Sequence, residues 1–309
     1  MPSNVVITGA SGLLGRAVFK AFKDSPHWNP YGIAYSRPSP PDIQKVDITD
    51  HVELASYISH VKPRAIVHCA AERRPDICED PHQRERTQKL NVEASRKLAE
   101  SAKEQDALLI YISTDFVFNG RNAPYSERDE TDPLNVYSIS KRKGELAVLE
   151  VHEKAIILRV PVLYGEVERN NESAVNTLVD AVMNVQMKKQ VDVDHYYRRY
   201  PTNTSDVGRV IHQLCEKLAF QKIHLECRIF HFTADEMFTK YDMCVIFGEI
   251  MAVPINHLRN IDTIDKEAST PRPYDTHLQM NNLERLGIDV SSVPFKEWWK
   301  RFGFKAYKH

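Results

Sequence analysis

Thr8-Gly9-Ala10-Ser11-Gly12-Leu13-Leu14-Gly15 is the stretch that decides the fold of this 309-residue chain. It follows the apolar run Val5-Val6-Ile7 and opens an amphipathic segment over residues 13–22, so a strand, a glycine turn and a helix follow one another. A dinucleotide pyrophosphate needs this order, because the turn and the positive end of the helix face the anion together. The alternative is an ordinary turn between a strand and a helix.

The three glycines have separate roles in this hypothesis. Gly9 permits the sharp turn out of the strand, Gly12 lets backbone N–H groups approach the phosphates, and Gly15 lets the helix pack close to the strand. Their Gly-x-x-Gly-x-x-Gly spacing is the tighter variant of the fingerprint, which short-chain dehydrogenases carry. We therefore predict a dinucleotide site here.

A second apolar run, over residues 31–35, ends in Tyr35-Ser36-Arg37. The tip of this strand normally carries an acidic residue that hydrogen-bonds the adenosine ribose of NAD, and here it carries none. Arg37, helped by Arg16, would instead pair with a 2′-phosphate, since guanidinium geometry matches phosphate. The sequence therefore favours NADP over NAD. The alternative is that Arg37 is a solvated loop charge.

Two further segments are expected to contact the cofactor. Asp47 and Ile48 follow a short strand end and would lie at the adenine edge. Residues 65–71 indicate a buried strand that runs into a small-residue turn, where the central ribose can lie against the backbone of Cys69, Ala70 and Ala71.

Composition excludes several classes of function. The chain is 42% hydrophobic with a formal net charge of −1, which argues against a nucleic-acid or anionic-membrane partner. It has no apolar run near the ~18–20 residues of a membrane span, and the N-terminus enters a strand without room for a signal peptide. The five cysteines lack metal-type pairing, so we expect reduced thiols, no metal site and a cytoplasmic location.

The order of elements predicts an α/β fold with a Rossmann-type, doubly wound parallel sheet. Up to residue 165, strands (5–8, 31–35, 66–69, 108–113, 156–160) alternate with helices (13–22, 52–61, 84–103, 136–150). Beyond it the connections lengthen, with helices near 174–187, 206–218 and 240–251. We expect a nucleotide-binding domain over residues 1–165 and a smaller C-terminal α/β lobe over 166–309, some of whose segments return to the first domain.

A reactive constellation accompanies this fold. Tyr137 and Lys141 share one helical face, where the ammonium would lower the phenol pKa and let it protonate a carbonyl. Ser113 and Thr114 end a strand and could hydrogen-bond the same oxygen. Each pattern alone is common, and the combination behind the glycine turn is what carries the prediction.

These residues resemble the extended short-chain dehydrogenases, and within them the dTDP-4-dehydrorhamnose reductase branch. The stretch 113–120 (STDFVFNG) is similar to that branch's signature, with Thr114 aligned on its catalytic hydroxyl. Tyr137 and Lys141 match the catalytic pair, and 158–165 (LRVPVLYG) matches the segment beside the nicotinamide.

Longer strings are similar to the regulatory β subunit of methionine adenosyltransferase: residues 68–76 (HCAAERRPD), 163–168 (LYGEVE), 172–175 (ESAV) and 238–241 (FTKY). This resemblance implies an NADP-binding protein that associates with the catalytic α subunit, the subunit that makes S-adenosylmethionine. By the same resemblance, the NADP-binding protein itself does not reduce a sugar. The resemblance adds Ser11, Leu13, Leu14, Arg73 and Leu163 to the cofactor contacts.

Two segments depart from the reductase pattern. The chain has Glu72-Arg73-Arg74 where sugar-nucleotide reductases carry small and hydroxylated residues. Over residues 194–202 it has aromatics with Arg198 and Arg199 where reductases have Gln and Gly before Pro-Thr. A dTDP-4-keto sugar is therefore a less favoured substrate. The alternative for this basic, aromatic loop is a solvated lid.

The C-terminal segment 294–309 carries an aromatic stripe at i, i+3, i+4 and i+7: Phe295, Trp298, Trp299 and Phe302. Lys296, Lys300, Arg301, Lys305 and Lys308 surround it. Aromatic anchors with a basic rim suit docking to the catalytic subunit, whereas the alternative is packing on the chain's own lobe.

Two functions thus remain open. One is an NADP-binding regulatory subunit, which the long strings and the tail favour. The other is an NADPH-dependent reductase of a 4-keto-sugar nucleotide. Thr114, Tyr137 and Lys141 do not separate them, because Tyr and Lys can be kept to bind the nicotinamide ribose alone.

Overall fold

The chain folds around a seven-stranded parallel sheet with helices on both faces, as the sequence predicts. The computed structural model describes residues 1–185, 190–221, 223–264 and 270–302. The strands are β1 (Ser3–Thr8), β2 (Trp28–Ala34), β3 (Ile43–Lys45), β4 (Ala65–His68), β5 (Leu108–Thr114), β6 (Ile156–Val160), β7 (Leu163–Tyr164), β8 (Val191–Asp194), β9 (Thr202–Asn203), β10 (Ile229–His231) and β11 (Leu258–Ile261).

The helices are α1 (Leu13–Lys23), α2 (His51–Val61), α3 (Pro75–Glu79), α4 (Arg84–Gln88), α5 (Ala94–Glu104), α6 (Val136–Val151), α7 (Thr177–Met183), α8 (Thr204–Phe220), α9 (Lys240–Met251), α10 (Asn281–Arg285) and α11 (Phe295–Phe302). Short 3-10 turns lie at Pro81–Gln83, Asp115–Val117 and Asn170–Glu172.

The large sheet has the strand order β10-β6-β5-β4-β1-β2-β3. The chain moves outward from β1 to β3, then returns to pair β4 on the other side of β1. This reversal places the carboxyl ends of β1 and β4 side by side, with Thr8 opposite His68. In open parallel sheets a crevice for ligands forms at such a reversal.

Alternation along the strands fills a core on each face of the large sheet. Val5 and Ile7 of β1 face a core built by α1 and α8, whereas Val6 faces a core built by α2, α5 and α6. Apolar side chains dominate both cores at the sheet, which explains why the central strands read as largely hydrophobic runs.

The predicted helix over residues 84–103 is interrupted. The segment Lys89–Glu93 between α4 and α5 is a π-helical turn. Asn91 in this turn is buried, and its amide donates to Glu72 O at 3.0 Å and to Ser140 Oγ at 2.9 Å. Because a π-turn displaces the backbone from the regular i→i−4 pattern, it aims Asn91 at the loop after β4.

A separate, smaller core lies beside the large sheet. It joins α7, α9 and α11 to β8 and β11, which form a two-stranded parallel sheet. The segments after residue 165 are divided between the two cores, since α8 packs against α1 and β10 extends the large sheet.

The aromatic stripe of the C-terminal segment belongs to this smaller core. Phe295, Trp298 and Trp299 are buried, and their rings pack on Tyr164 at centroid distances of 4.9, 5.1 and 5.9 Å. The prediction that these three side chains are docking anchors is wrong in this conformation, because their apolar area is already covered. Phe302 alone of the four is exposed. Lys305 and Lys308 lie outside the described residues.

Candidate functional site

The glycine turn after β1 is shaped by backbone contacts that a side chain would obstruct. Gly9 has a φ of +65°, a conformation that L-residues rarely adopt. It directly follows strand β1, which ends at Thr8. A Cβ on Gly15 would lie 2.1 Å from the Gly9 carbonyl oxygen. Helix α1 therefore starts in contact with the turn, and Gly12 stands at its N-cap without a side-chain cap. The free N–H groups of this helix end suit an anion.

A cleft of about 1260 Å³ opens above this turn. All predicted cofactor residues except Arg16 line it: Gly9, Ser11, Gly12, Leu13, Leu14, Gly15, Tyr35, Ser36, Arg37, Asp47, Ile48, Cys69, Ala70, Ala71, Arg73, Ser113, Tyr137, Lys141 and Leu163. The carboxylate of Asp47 is held by Thr49, whose N–H and hydroxyl donate to Oδ1 at 2.9 and 2.8 Å. The fold thus brings together residues that are up to 154 positions apart in sequence, from Gly9 to Leu163.

Arg16 and Arg37 meet at the edge of the cleft, around one carboxylate. Both guanidinium groups hydrogen-bond to Glu172, and both donate to Ser11 O, at 2.7 Å from Arg16 and 2.9 Å from Arg37. Burial raises the pKa of Glu172, but the hydrogen bonds from the two arginines outweigh it and hold the pKa below its usual range. The more exposed Glu168 also pairs with Arg37, at 2.9 Å.

Glu168 and Glu172 pair with the predicted cofactor residues, and the sequence did not reveal these contacts. They belong to the segment that follows β7, in the smaller lobe's half of the chain. Arg37 is exposed but is ion-paired with both glutamates, and the hydrogen bond to Glu172 raises its pKa. The guanidinium groups of two such arginines can also donate the hydrogen bonds that bind a phosphate dianion.

Thr114, Tyr137 and Lys141 line the same cleft, where β5 and α6 meet. Helix α6 begins with a capping box, in which Asn135 Oδ1 accepts from Ser138 N at 2.9 Å and Ser138 Oγ accepts from Asn135 N at 3.2 Å. This cap fixes the first helical turn and hence the position of Tyr137.

The expected effect of Lys141 on the phenol is wrong in this structure. Burial raises the pKa of Tyr137 above its usual value, and the neighbouring Thr114 hydroxyl opposes the rise only in part. The Lys141 ammonium lies over the ring of Tyr111, 4.0 Å from its centroid. The i, i+4 spacing predicted that Tyr137 and Lys141 lie on one helical face. The Lys141 ammonium nevertheless packs against the ring of Tyr111.

Lys141 is fully enclosed, and this changes its acid–base behaviour. Burial lowers the pKa of its ammonium to about 7, and Glu145, one helical turn further on, opposes that fall. An amine that titrates near neutrality can hold or release a proton under physiological conditions.

Glu145 anchors a buried ionic network behind Lys141. Its two oxygens each accept from Arg159 at 2.8 Å, and Ser113 donates to Oε1 at 2.6 Å. Ser113 thus faces this network, so its predicted role at the reacting oxygen has no support from its hydrogen bonding. The sequence offered one signal for the network, the lone Arg in the apolar strand β6.

Asp115 closes the reactive end of the cleft. It is buried, and burial raises the pKa of its carboxyl to about 6, although hydrogen bonds from Thr276 and Thr114 and the charge of Arg199 oppose the rise. The contact with Thr276 ties the segment before α10 to the turn after β5. Asp115 therefore orders the wall beside Thr114.

The basic, aromatic loop ends in two buried residues, so the solvated-lid alternative is wrong for its second half. Arg199 and Tyr200 are buried, and Arg198 pairs with Asp275 at 3.2 Å. Backbone hydrogen bonds of 2.8 Å in both directions join Arg199 to Phe238, just before α9. The loop is part of the wall of the cleft.

Comparison with known proteins now identifies the family. The family model for the RmlD substrate binding domain matches residues 3–302. The chain belongs to this family. Among RmlD-like structures, dTDP-4-dehydrorhamnose reductase from Bacillus anthracis str. Ames, in complex with NADP, superposes with a TM-score of 0.81 at 24% identity, covering 98% of this chain and 99% of that one.

Two relatives bear on function within the RmlD family. Methionine adenosyltransferase 2 subunit beta from Danio rerio is 42% identical over 292 residues, covering 94% of this chain and 87% of its own length. A dTDP-4-dehydrorhamnose reductase from Aggregatibacter actinomycetemcomitans is 29% identical over 298 residues, covering 94% and 95%. The predicted resemblance to both branches is confirmed, and the β subunits are the more similar.

Within the described residues, no helix is long and apolar enough to cross a membrane, and no cluster of three or more His, Cys, Asp or Glu side chains could hold a metal ion. The five cysteines are free thiols.

Proposed function

We propose that the chain is an NADP-binding regulatory subunit of methionine adenosyltransferase, which supports S-adenosylmethionine synthesis by binding the catalytic subunit. The observation that carries this proposal is the 42% identity with β subunits across 94% of the chain, against 29% with a reductase. The sequence identity therefore extends over both hydrophobic cores and is not confined to the nucleotide turn.

The cleft supports NADP as the cofactor. The turn from Gly9 to Leu13 would hold the pyrophosphate, with no side chain in its way at Gly12. Arg16 and Arg37 would hold the 2′-phosphate, Asp47 and Ile48 the adenine edge, and the Cys69–Ala71 turn the central ribose. Tyr137 and Lys141 would bind the nicotinamide ribose. When bound, the cofactor could supply hydride chemistry, and the Tyr137 hydroxyl is the protein group placed to hold a proton.

The cofactor proposal is tested by comparing affinities. NADP should bind more tightly than NAD, and Arg37→Ala should narrow the difference by about tenfold, because a guanidinium–phosphate pair is lost only with NADP. Isothermal titration calorimetry of the parent and of Arg37→Ala with both cofactors measures this difference in affinity. Equal affinities in the parent protein would contradict the assignment of Arg37.

The partner proposal is tested by pull-down with a purified methionine adenosyltransferase catalytic subunit. We propose that the exposed end of α11, including Phe302 and Arg301, contacts the partner together with the residues beyond it. Truncation should begin at residue 303, because removal of α11 would expose the smaller core. The parent should retain the catalytic subunit at micromolar concentration and the truncated chain should retain less. No retention by the parent would reject the regulatory proposal.

The reductase alternative is favoured by one observation, the shared cleft wall of Thr114, Tyr137 and Lys141. It predicts NADPH oxidation with a 4-keto-sugar nucleotide such as dTDP-4-dehydrorhamnose. Tyr137→Phe should abolish that oxidation and leave cofactor binding nearly unchanged. Absence of turnover in a chain that binds both NADP and the catalytic subunit would exclude this alternative for the tested sugar.

A further inference from the structure

The loop between β2 and β3, residues 35–42, runs from the cofactor cleft to the protein surface. Tyr35, Ser36 and Arg37 line the cleft, and every residue of the loop is exposed. Its second half is a closed turn, because the backbone N–H groups of Ser39 and Ile43 donate to each other's carbonyl oxygens at 2.8 and 3.0 Å. The loop therefore presents a fixed turn directly after Arg37, one of the two arginines proposed to hold the 2′-phosphate.

Ser39 in this turn is followed by a proline. The chain has three serine or threonine residues directly before a proline: Ser25, Ser39 and Thr270. Thr270 is buried, and Ser25 is half-buried with its Oγ accepting a hydrogen bond from His27 N at 3.4 Å. Ser39 is exposed, and across the described residues its hydroxyl forms no hydrogen bond. Ser39 therefore carries the hydroxyl of this group that a proline-directed serine kinase can reach without opening the fold.

The turn lies in a region of positive charge. The Arg37 side chain is 42% exposed, two positions before Ser39. Lys45 is exposed in β3, the strand that the turn enters, and Asp42, the one acid of the loop, is paired with Lys23 at 2.5 Å. A phosphoserine carries a charge of about −1.5 to −2 near neutral pH and three strong acceptor oxygens, so cations beside it stabilise it. The surroundings of Ser39 therefore suit a phosphate group.

We propose that Ser39 is a phosphorylation site for a proline-directed serine kinase, and that its phosphate weakens NADP binding by competing for Arg37. In this transfer Ser39 Oγ forms a bond to the γ-phosphorus of ATP, and the bond from that phosphorus to the β,γ-bridging oxygen breaks. ADP leaves, and the hydroxyl proton passes to the base of the kinase. The modification is thus a regulatory input to the cofactor site.

The competition with the cofactor rests on the proposed function, whereas the phosphorylation itself does not. Two residues of chain span at most about 7 Å, so the phosphate is tethered within reach of the flexible Arg37 side chain. Arg37 then exchanges its contacts with Ser11 O and Glu172 for a dianionic acceptor, and the added phosphate repels the 2′-phosphate of NADP. NAD has no 2′-phosphate, so its binding is much less sensitive to the modification.

The phosphorylation is tested in the folded full chain with a purified proline-directed serine kinase and ATP. Intact mass and peptide mass spectrometry should find one phosphate, at Ser39. Ser39→Ala should lose this phosphate, whereas Ser25→Ala, the matched change at the other serine before a proline, should keep it. A parent chain without phosphate at Ser39, or a Ser39→Ala chain phosphorylated as fully as the parent, would overturn the assignment. This measurement requires no cofactor binding.

The competition is tested by titration calorimetry of the phosphorylated and unphosphorylated parent with NADP and with NAD. We expect the affinity for NADP to fall about fivefold to tenfold on phosphorylation, and that for NAD to change less than about twofold. Kinase-treated Ser39→Ala should bind both cofactors as the untreated protein does. Equal NADP affinity in the two forms of the parent, or an equal loss for both cofactors, would overturn the competition for Arg37. If the unphosphorylated chain bound no NADP, the cofactor proposal and the competition would both fail, and the mass measurement would still decide the phosphorylation of Ser39.

Discussion

The guanidinium of Arg37 and the carboxylate of Glu172 are hydrogen-bonded across 135 positions of sequence, at the point where the cofactor's 2′-phosphate is proposed to bind. Glu172 is 9% exposed through its side chain and also pairs with Arg16. One carboxylate thus satisfies the two cations that a phosphate would use. A phosphate that binds there must displace this carboxylate.

Glu172→Gln should therefore strengthen NADP binding and leave NAD binding nearly unchanged. The substitution removes a competing negative charge and keeps the side-chain volume. We expect NADP to gain about threefold to tenfold, since the ion pair is partly buried. Competition titrations with the two cofactors measure the ratio of their dissociation constants.

Glu168→Gln is the matched control for this prediction. Its carboxylate is 59% exposed and reaches Arg37 from solvent, so its loss should change the ratio much less. A fall in NADP affinity in Glu172→Gln would show that Glu172 positions the arginines for phosphate instead of competing with it.

Gly15→Ala should destabilise the fold and abolish cofactor binding. The new Cβ would lie 2.1 Å from Gly9 O and 2.8 Å from Ala10 Cα, and these contacts are backbone atoms that cannot turn away. We expect a loss of about 3 kcal/mol in the free energy of unfolding, measured by chemical denaturation.

Gly12→Ala provides the comparison in the same turn. Its Cβ would lie 3.1 Å from Gly9 O, and Gly12 has an ordinary φ of −82°. Stability should fall by less than about 1 kcal/mol, whereas NADP affinity should fall because Gly12 lines the cleft. Equal destabilisation by the two substitutions would refute the distinction between the glycines.

The central strands and the glycine turn could be predicted from the sequence because both depend on local patterns. Strands β1, β4, β5 and β6 are buried on both faces, so their sequences are mostly apolar. The turn needs glycine at fixed spacing. The short strands β7 and β9, two residues each, have too few positions to show any period. Their pairing depends on the tertiary fold.

Residues of the candidate site could be predicted only where a single segment of sequence contains the whole pattern. Spacing placed Tyr137 and Lys141 on one helical face, but the ammonium position depends on Tyr111, which comes from β5. Arg37 was found from its place at a strand tip, whereas Glu172, its partner, comes from a loop 135 residues later. Contacts of this range leave no trace in a single sequence.

Lys141 should impose a pH dependence on stability above neutrality. Its folded-state pKa of about 7 lies below the usual 10.5, so the unfolded chain binds the proton more tightly. The stability associated with Lys141 is therefore present above pH 10.5 and is lost as the pH falls toward 7. The Lys141→Met variant lacks this titration.

The difference in unfolding free energy, parent minus Lys141→Met, should therefore rise by a few kcal/mol between pH 7 and about pH 10. Denaturant titrations of both proteins at matched pH give this difference and cancel the other titrating groups. A difference that stays constant with pH would mean that the ammonium is charged throughout the range.

Trp299→Ala should destabilise the smaller lobe, whereas Phe302→Ala should not. Trp299 is buried, and its ring packs on Phe247 at a centroid distance of 4.6 Å, so truncation leaves a cavity that costs about 3–5 kcal/mol. Phe302 is 38% exposed, and its loss should change stability by less than about 0.5 kcal/mol. Thermal and denaturant unfolding measure both effects.

The same two substitutions distinguish an effect on folding from an effect on docking. Phe302→Ala should weaken retention of the catalytic subunit while the lobe stays folded. If only Trp299→Ala weakens retention, and in proportion to its loss of stability, the partner surface must lie elsewhere on the chain.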